Sequence, residues 1–136
     1  MAVRPAVVSD IPRIIDMVCM LRDQISGPVT PDPETIRETL LVLMASPHGI
    51  VLISDGGFIA GSIAPTIISK EWFAHELGWF AKDCSGLRLL RAFERWADNH
   101  GARVRLSTGS YEGTPLKLRN ALQRRGYQPH ETAWVK

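Results

Sequence analysis

The segment 76–102, ELGWFAKDCSGLRLLRAFERWADNHGA, limits what this chain can fold into more than any other stretch. It predicts a strand, a short turn that carries Ser85 and Gly86, and then a helix that ends at Gly101. One face of that helix should pack inward, because apolar residues recur at helical spacing: Leu87, Leu89, Leu90, Phe93, Trp96 and Ala97. A strand that leads directly into a helix is typical of a domain that mixes the two elements.

The turn between this strand and this helix suits the binding of a phosphate group. The first backbone N–H groups of a helix have no partner within it, and the helix dipole adds partial positive charge there. Gly86 lets the backbone come close to a ligand because it carries no side chain. A single glycine also occurs in strand–turn–helix connections that bind nothing, so the pattern leaves both interpretations open.

The composition is that of a globular protein with one domain. Of the 136 residues, 45% are hydrophobic and 22% are charged, which is usual for a soluble chain of this length. The net charge of +2 is too small to indicate nucleic-acid binding by itself. A solvated helix face explains the basic residues along the turn and its helix more simply than a binding surface does: Lys82, Arg88, Arg91 and Arg95.

Neither the cysteines nor the apolar runs indicate an exported or a membrane protein. Cys19 and Cys84 are too few to form a disulfide framework, so nothing asks for an oxidising compartment. The N-terminal stretch lacks the apolar region of a secretory signal, and no apolar run approaches the length that spans a membrane. We therefore expect a cytoplasmic protein that does not bind membranes.

The other elements follow from apolar periodicity and from turn residues. Ser9 and Asp32 are suited to cap two amphipathic helices. The turn 55–57, with the sequence DGG, indicates a hairpin because aspartate and glycine accept the positive φ of tight turns, and Pro65 should lie at an edge or a bulge. The chain then reads β-α-α-β-β-β-α-β-α-β, with helices at 9–24, 33–45, 86–100 and 114–125 and strands at 3–8, 50–54, 58–68, 76–81, 103–108 and 127–136.

This order, with HELGWFAKDCSGLRLLRAFERWADNHGA and the later RRGYQPHETAWVK, resembles the GNAT superfamily of N-acetyltransferases, including small phage-type members. The resemblance covers essentially the whole chain. It implies one acetyltransferase domain over 1–136 with an α/β (α+β) fold, in which a mixed, mostly antiparallel sheet carries helices on both faces. It also implies acetyl-coenzyme A (acetyl-CoA) as co-substrate, no metal, and a small-molecule or peptide amine as acceptor. Homodimers are common among such relatives.

In that family the turn carries Arg/Gln-x-x-Gly-x-Gly/Ala, whose backbone amides bind the pyrophosphate of acetyl-CoA. Gly86 matches the last small position here, whereas Cys84 stands at the first glycine and Ala81 at the Arg or Gln, with Lys82 beside it. The turn is therefore a degenerate version of the motif. The cofactor-binding residues that the resemblance implies are Trp79, Phe80, Ala81, Lys82, Cys84, Ser85, Gly86, Leu87 and Arg88.

Acetyl transfer requires a neutral amine and a donor that stabilises the developing oxyanion. A carboxylate in a partly apolar cleft could accept the proton, directly or through water. Glu76 matches a glutamate on the fourth strand of family members, and a backbone N–H near Phe80 would then face the thioester carbonyl. His75 should point to the opposite face of the strand. Relatives often use a tyrosine four residues before a glycine as the acid, and Leu122 takes that position before Gly126.

Two other classes of function stay open. The replacements Ala81, Cys84 and Leu122 would suit a non-catalytic acyl-CoA-binding or interaction module with the same fold. A nucleic-acid-associated protein would instead use its basic residues: Lys82, Arg88, Arg91, Arg95, Arg124 and Arg125. The four histidines are scattered without the spacing of metal ligands, so we predict no metal site.

Overall fold

A computed structural model describes residues 2–25, 28–108 and 113–136 of the chain. The chain divides into two compact units, Met1–Leu106 and Ser107–Lys136. The first unit contains a β-sheet and three α-helices, and the second contains one α-helix. None of the helices formed by these residues is long and apolar enough to cross a bilayer.

The first unit is built on a sheet of five strands that lie side by side in chain order. Neighbouring strands are antiparallel except for the last pair, which is parallel. The predicted mixed, mostly antiparallel sheet is therefore confirmed. The strands are β1 (Arg4–Pro5), β2 (Gly49–Ile53), β3 (Gly57–Pro65), β4 (Trp72–Ala81) and β5 (Ala102–Arg105).

Several strand ends differ from the predictions: β3 ends at Pro65 rather than at 68, and β4 begins at Trp72 rather than at 76. β1 is two residues long rather than spanning 3–8, and β5 ends at Arg105 rather than at 108. Pro65 does not lie at an edge or a bulge: it is the last residue of β3, a central strand, and it pairs with Trp72. A proline has no backbone N–H to donate to a neighbouring strand. Because Pro65 is the last residue of β3, the missing donor does not interrupt the hydrogen bonds within the strand, and the sheet tolerates it there.

Two helices cover one face of the sheet, α1 (Ile11–Ile25) and α2 (Pro33–Ala45). Asp32 caps α2 as predicted, since its carboxylate accepts a hydrogen bond from the Thr35 backbone N–H at 3.2 Å. The apolar stripes of both helices bury side chains against the strands. This core contains Ala6, Ile11, Ile14, Met17, Leu40, Leu43, Val51, Ile53, Phe58, Ala60 and Phe80.

The prediction that Ser9 caps the first helix is wrong. A short 3₁₀ turn, Val8–Asp10, precedes α1, and the Asp10 carboxylate accepts a hydrogen bond from the Val7 backbone N–H at 2.8 Å. The same carboxylate accepts two hydrogen bonds from the Arg4 guanidinium, at 2.7 and 2.9 Å. The hydrogen bonds from Arg4 are the largest cause that stabilises the ionised carboxylate, and the pKa of Asp10 is lowered to about 2. A carboxylate offers about four acceptor sites against the two of a serine hydroxyl, and its charge strengthens the bonds from a guanidinium.

The third helix, α3 (Gly86–Asn99), covers the opposite face of the sheet. Its side chains approach two glycines of β3 closely: a Cβ on Gly57 would lie 2.9 Å from Leu89 Cδ1, and one on Gly61 would lie 2.5 Å from Phe93 Cε1. Leu89 and Phe93 are fully buried. The predicted arrangement, with helices on both faces, is confirmed.

The predicted hairpin between β2 and β3 is confirmed, but the reason given for its glycines is wrong. Among the described glycines, positive φ occurs at Gly101 (67°) and Gly126 (91°) and not in the hairpin. Gly56 is instead a place of close packing, because a Cβ there would lie 2.5 Å from the Asp83 carboxyl carbon. The hairpin therefore makes room for the turn that precedes α3.

β4 contains a bulge in the middle of the sheet. Ala60 of β3 pairs with Gly78 and Gly61 pairs with Glu76, so Leu77 is an extra residue without an opposite partner. A bulge inverts the alternation of side chains along the strand and increases its local twist. Nothing in the apolar pattern of the sequence marks this position.

The second unit contains α4 (Leu116–Arg124), close to the predicted helix 114–125, and Gly126 ends it with a φ of 91°. The predicted strand at 127–136 is wrong, because these residues have no regular secondary structure. Residues 128–136 are all exposed, and Pro129 lacks a backbone N–H. Apolar side chains fix the register of a strand when one face is buried, and this segment buries none.

Candidate functional site

The backbone between β4 and the first turn of α3 makes two hydrogen bonds to neighbouring segments. The Lys82 backbone N–H donates to the Gly56 carbonyl at 2.8 Å, which joins the turn to the β2–β3 hairpin. The Trp79 indole N–H donates to the Gly86 carbonyl at 3.1 Å, which joins the first turn of α3 to β4. The N-terminus of α3 therefore has a defined position beside the end of β4.

Packing does not require a glycine at position 86. A Cβ placed on Gly86 would lie 3.6 Å from Ala81 Cβ and 3.9 Å from Trp79 Nε1, and both are ordinary contacts. Gly86 is also not among the described glycines with positive φ. Neither packing within the first unit nor backbone conformation therefore requires a glycine at this position. A glycine does leave space for a phosphate to reach the backbone N–H groups of the turn.

A carboxylate already occupies part of this turn. Asp83 accepts a hydrogen bond from the Ser85 backbone N–H at 3.0 Å and a second, short one from the Ser85 hydroxyl. Ser85 is buried, and its hydroxyl oxygen lies 2.7 Å from that of Ser54. The bonds from Ser85 lower the pKa of Asp83, and the positive charge of Arg88 adds to the effect. The Asp83 carboxylate is therefore negatively charged at neutral pH.

The sequence prediction named the other residues from Ala81 to Arg88 but passed over Asp83. An aspartate two residues before a serine is typical of a turn in which the side chain binds the backbone two positions on. That local signal was present in the sequence and could have identified the Asp83–Ser85 bond. It also bears on function, because a carboxylate competes with a phosphate for the same kind of donor.

The other predicted cofactor residues differ widely in exposure. Lys82, Cys84, Leu87 and Arg88 are exposed around the turn, and Cys84 is a free thiol. Trp79, Ala81 and Gly86 are half-buried and adjacent to one another. Phe80 is buried in the core beneath α1 and α2, so its side chain is not available to a ligand.

β4 has an open edge next to the turn. β5 pairs with the first part of β4, up to His75, and the described residues of the first unit place no strand beside the remainder on that side. The Phe80 carbonyl points toward β3, because it lies 2.6 Å from the position of a Cβ on Gly57. Successive residues of a strand direct their backbone groups to opposite sides. The N–H groups at the open edge are therefore those of Trp79 and Ala81, the neighbours of Phe80.

Two groups that can accept a proton lie on β4 at the start of this open edge. Glu76 is half-buried, pairs with Gly61 and directly precedes the bulge residue Leu77. Burial lowers the pKa of the neighbouring His75, and the charge of Arg105 lowers it further, so this ring is neutral at neutral pH. Sequence reasoning assigned a chemical role to Glu76 alone, and the structure adds His75 as a second proton acceptor.

No protein-family model matches this sequence, and no curated protein matches it at a significant level. Solved structures do match it. The glucosamine-6-phosphate N-acetyltransferase from Arabidopsis thaliana has a TM-score of 0.71 at 9% identity, over 99% of this chain and 96% of that one. The aminoglycoside N-acetyltransferase AAC(6')-Iy, solved with a bisubstrate analogue of CoA and acetylneamine, has a TM-score of 0.73 at 15% identity, over 99% and 95%.

A third match is an aminoglycoside acetyltransferase from an uncultured soil metagenomic sample, solved in complex with sisomicin. Its TM-score is 0.68 at 12% identity, over 99% of this chain and 94% of that one. The likeness shows the fold. The predicted GNAT-like fold is thereby confirmed. Sequence identities this low assign no role to any single residue of this chain.

Proposed function

We propose that this protein is an N-acetyltransferase of the GNAT superfamily, a single domain over 1–136 that transfers an acetyl group from acetyl-CoA to an amine. One observation carries the proposal: the N-terminus of α3, with a glycine that packing does not require, lies directly beside the open edge of β4. The first feature suits a pyrophosphate, and the second suits an extended chain with amide groups. Acetyl-CoA contains both.

In this proposal the pyrophosphate lies on the backbone N–H groups of the turn. The exposed side chains of Lys82 and Arg88 add positive charge close by. The amide-containing arm of the cofactor runs along β4 as an added strand and accepts a hydrogen bond from the Ala81 N–H, which leaves the Trp79 N–H for the thioester carbonyl. The proposed contact residues are Trp79, Ala81, Lys82, Cys84, Ser85, Gly86, Leu87 and Arg88. Phe80 lies between the two donor residues, but its own backbone pairs with β3.

The chemical step is nucleophilic attack by a neutral amine on the thioester carbonyl. The C–N bond forms, the C–S bond breaks, and the electron pair of that bond leaves with the CoA sulfur. Glu76 accepts the proton that the amine nitrogen loses, and backbone N–H groups at the open edge stabilise the oxyanion. Since Leu122 cannot donate a proton, the sulfur leaves as a thiolate or takes its proton from water.

The acceptor is proposed to be a small-molecule or peptide amine. The matched enzymes are named for two different kinds of acceptor, a phosphorylated amino sugar and the polycationic aminoglycosides. A panel should contain both kinds, together with peptide N-termini and lysine side chains. A difference between the anionic and the cationic members would define the charge of the acceptor site.

The test of the proposed function is a calorimetric titration with acetyl-CoA, followed by a thermal melt. A ligand that binds the folded state alone, at about a hundred times its dissociation constant, stabilises the protein by roughly 2.7 kcal/mol. We expect a clear rise in Tm with acetyl-CoA and a much smaller one with acetyl-pantetheine, which lacks the pyrophosphate. Failure of acetyl-CoA to bind would overturn the proposal.

Asp83→Asn is expected to tighten acetyl-CoA binding by roughly two- to fivefold, the effect expected of one exposed charge at a helix N-terminus. Asparagine keeps an oxygen that can accept the Ser85 N–H, but it removes the negative charge that opposes the pyrophosphate. Asp98→Asn is the matched control, because Asp98 is exposed near the other end of α3. Titration calorimetry measures the affinity of both variants for acetyl-CoA. Weaker binding by Asp83→Asn would mean that the carboxylate supports the site rather than opposing it.

A non-catalytic acyl-CoA-binding module is the second candidate, and Leu122 favours it, because it stands where relatives carry the tyrosine that acts as the acid. Such a module binds acetyl-CoA but transfers no acetyl group to any amine of the panel. The nucleic-acid alternative predicts binding that falls steeply with salt, through the basic residues of the turn and of α3. Turnover on the amine panel separates the enzyme from the binding module, and nucleic-acid binding measured at low and high salt tests the third class.

A further inference from the structure

A small cavity of about 130 Å³ lies at the end of α3 that is remote from the turn. Its lining side chains are those of His48, Ile63, Trp72 and His100. His48 precedes β2 and His100 follows α3, so the fold brings together two histidines from distant parts of the sequence. The length of α3, roughly 20 Å, separates this cavity from the proposed cofactor turn.

The tautomer of His100 is fixed by its surroundings. Its Nδ1 lies 2.9 Å from the Trp96 backbone carbonyl, and a carbonyl can only accept a hydrogen bond. Nδ1 therefore carries the hydrogen, and in the neutral ring Nε2 has a free lone pair. Tilted ring contacts support this orientation, since the Trp96 ring centre lies 5.2 Å from that of His100 and 5.5 Å from that of the fully buried Phe93. Histidines that bind a metal ion through one ring nitrogen usually donate the other N–H to a carboxylate, a backbone carbonyl or water, and His100 has such a bond.

His48 faces His100 across the cavity. The two ring centres are 6.4 Å apart in an edge-on arrangement, and the Trp72 ring lies 5.8 Å from His48. The backbone of His48 is held on both sides: its N–H donates to the Ser46 hydroxyl at 3.1 Å, and its carbonyl accepts from the Ile63 N–H at 2.7 Å. The backbone of His48 is therefore fixed, and its ring changes position relative to His100 only by rotation of the side chain.

We propose that His48 and His100 together bind a divalent transition-metal ion of the class that prefers imidazole, namely Cu²⁺, Ni²⁺ or Zn²⁺. Water completes the coordination, because the described residues form no group of three or more His, Cys, Asp or Glu side chains suited to a metal ion. The affinity follows the order expected for nitrogen ligands, with Cu²⁺ bound most tightly. Sequence spacing alone predicts no metal site, because it cannot register two ligands that only the fold brings together.

Metal binding at this site ties the start of β2 to the end of α3. An ion bound by the folded state stabilises that state, whether or not the protein is an enzyme. The proposal is therefore independent of acetyl transfer, and its readouts are metal affinity and Tm rather than activity.

The experiment uses the full chain without a histidine tag, freed of metal by a chelator. It is titrated by calorimetry with Cu²⁺, Ni²⁺ and Zn²⁺ separately. We expect one ion per chain and a rise in Tm. His48→Gln and His100→Gln should each weaken binding by at least about tenfold, since even the loss of a supporting residue has that effect. His130→Gln is the control, because His130 is an exposed histidine in the second unit.

Both replaced histidines are exposed, so the variants should fold, and circular dichroism verifies this. The ¹⁵N spectrum of the imidazoles gives a second readout with Zn²⁺, which is diamagnetic, because the bound ion shifts Nε2 of His100 and leaves its Nδ1–H in place. Equal metal affinity in His100→Gln and in the unmodified chain would overturn the proposal. The same holds if Cu²⁺ fails to bind, or if His130→Gln is the variant that abolishes binding.

Discussion

Glu76→Gln should lower the turnover of acetyl transfer by about 10²–10⁴-fold, the usual contribution of a positioned general base. Glutamine keeps the size of the side chain and most of its hydrogen bonds but cannot take up the proton of the amine. Affinity for acetyl-CoA should change little, because the lost interaction belongs to the transition state. Steady-state kinetics over a range of pH measures the effect, and the acidic limb of the profile should disappear in the variant.

Glu71→Gln is the matched control, since Glu71 is an exposed glutamate just before β4 that pairs with Arg103 at 3.3 Å. It should leave turnover unchanged. If Glu76→Gln keeps full turnover on the true acceptor, Glu76 is not the base. His75→Gln then becomes the informative variant, because burial keeps that ring neutral and able to accept a proton. Full turnover in both variants would leave catalysis to positioning and to backbone donors.

Local patterns were sufficient to predict the elements that bury an apolar face. The i, i+3, i+4 spacing placed α1, α2 and α3, and the DGG turn placed the β2–β3 hairpin. Each of these signals depends on residues that are close in sequence and on a face that must leave water. The predicted strand at 127–136 lacks such a face, because residues 128–136 are all exposed, and the structure has no strand there.

The site was less accessible to sequence reasoning, because its geometry depends on contacts between distant residues. The bulge at Leu77 and the early end of β5 create the open edge of β4, and neither has a signal in the apolar pattern. The turn and Gly86 were found from a local motif. Asp83 also has a local signal, but it falls on a position that the family motif leaves unspecified.

Gly86→Glu should weaken acetyl-CoA binding by more than about tenfold while leaving the fold intact. The Cβ has room, since its nearest neighbours would lie 3.6 and 3.9 Å away, so the change should not disturb the packing of α3. The rest of the side chain adds bulk and a second negative charge beside Asp83, where the pyrophosphate has to approach the backbone N–H groups. One added like charge and one blocked approach each cost about 1 kcal/mol or more in such sites, and 1.4 kcal/mol corresponds to a factor of ten.

A series at this position separates the two causes. Gly86→Ala should bind acetyl-CoA nearly as well as the unmodified chain, because its Cβ makes ordinary contacts with Ala81 and Trp79. Gly86→Gln adds the bulk of the glutamate without its charge, so it should fall between the other two. Raising the salt concentration should narrow the gap between Gly86→Gln and Gly86→Glu, since exposed charges are screened over about 10 Å at 0.1 M. If a folded Gly86→Glu protein binds acetyl-CoA with unchanged affinity, the cofactor binds but its pyrophosphate does not lie at this turn.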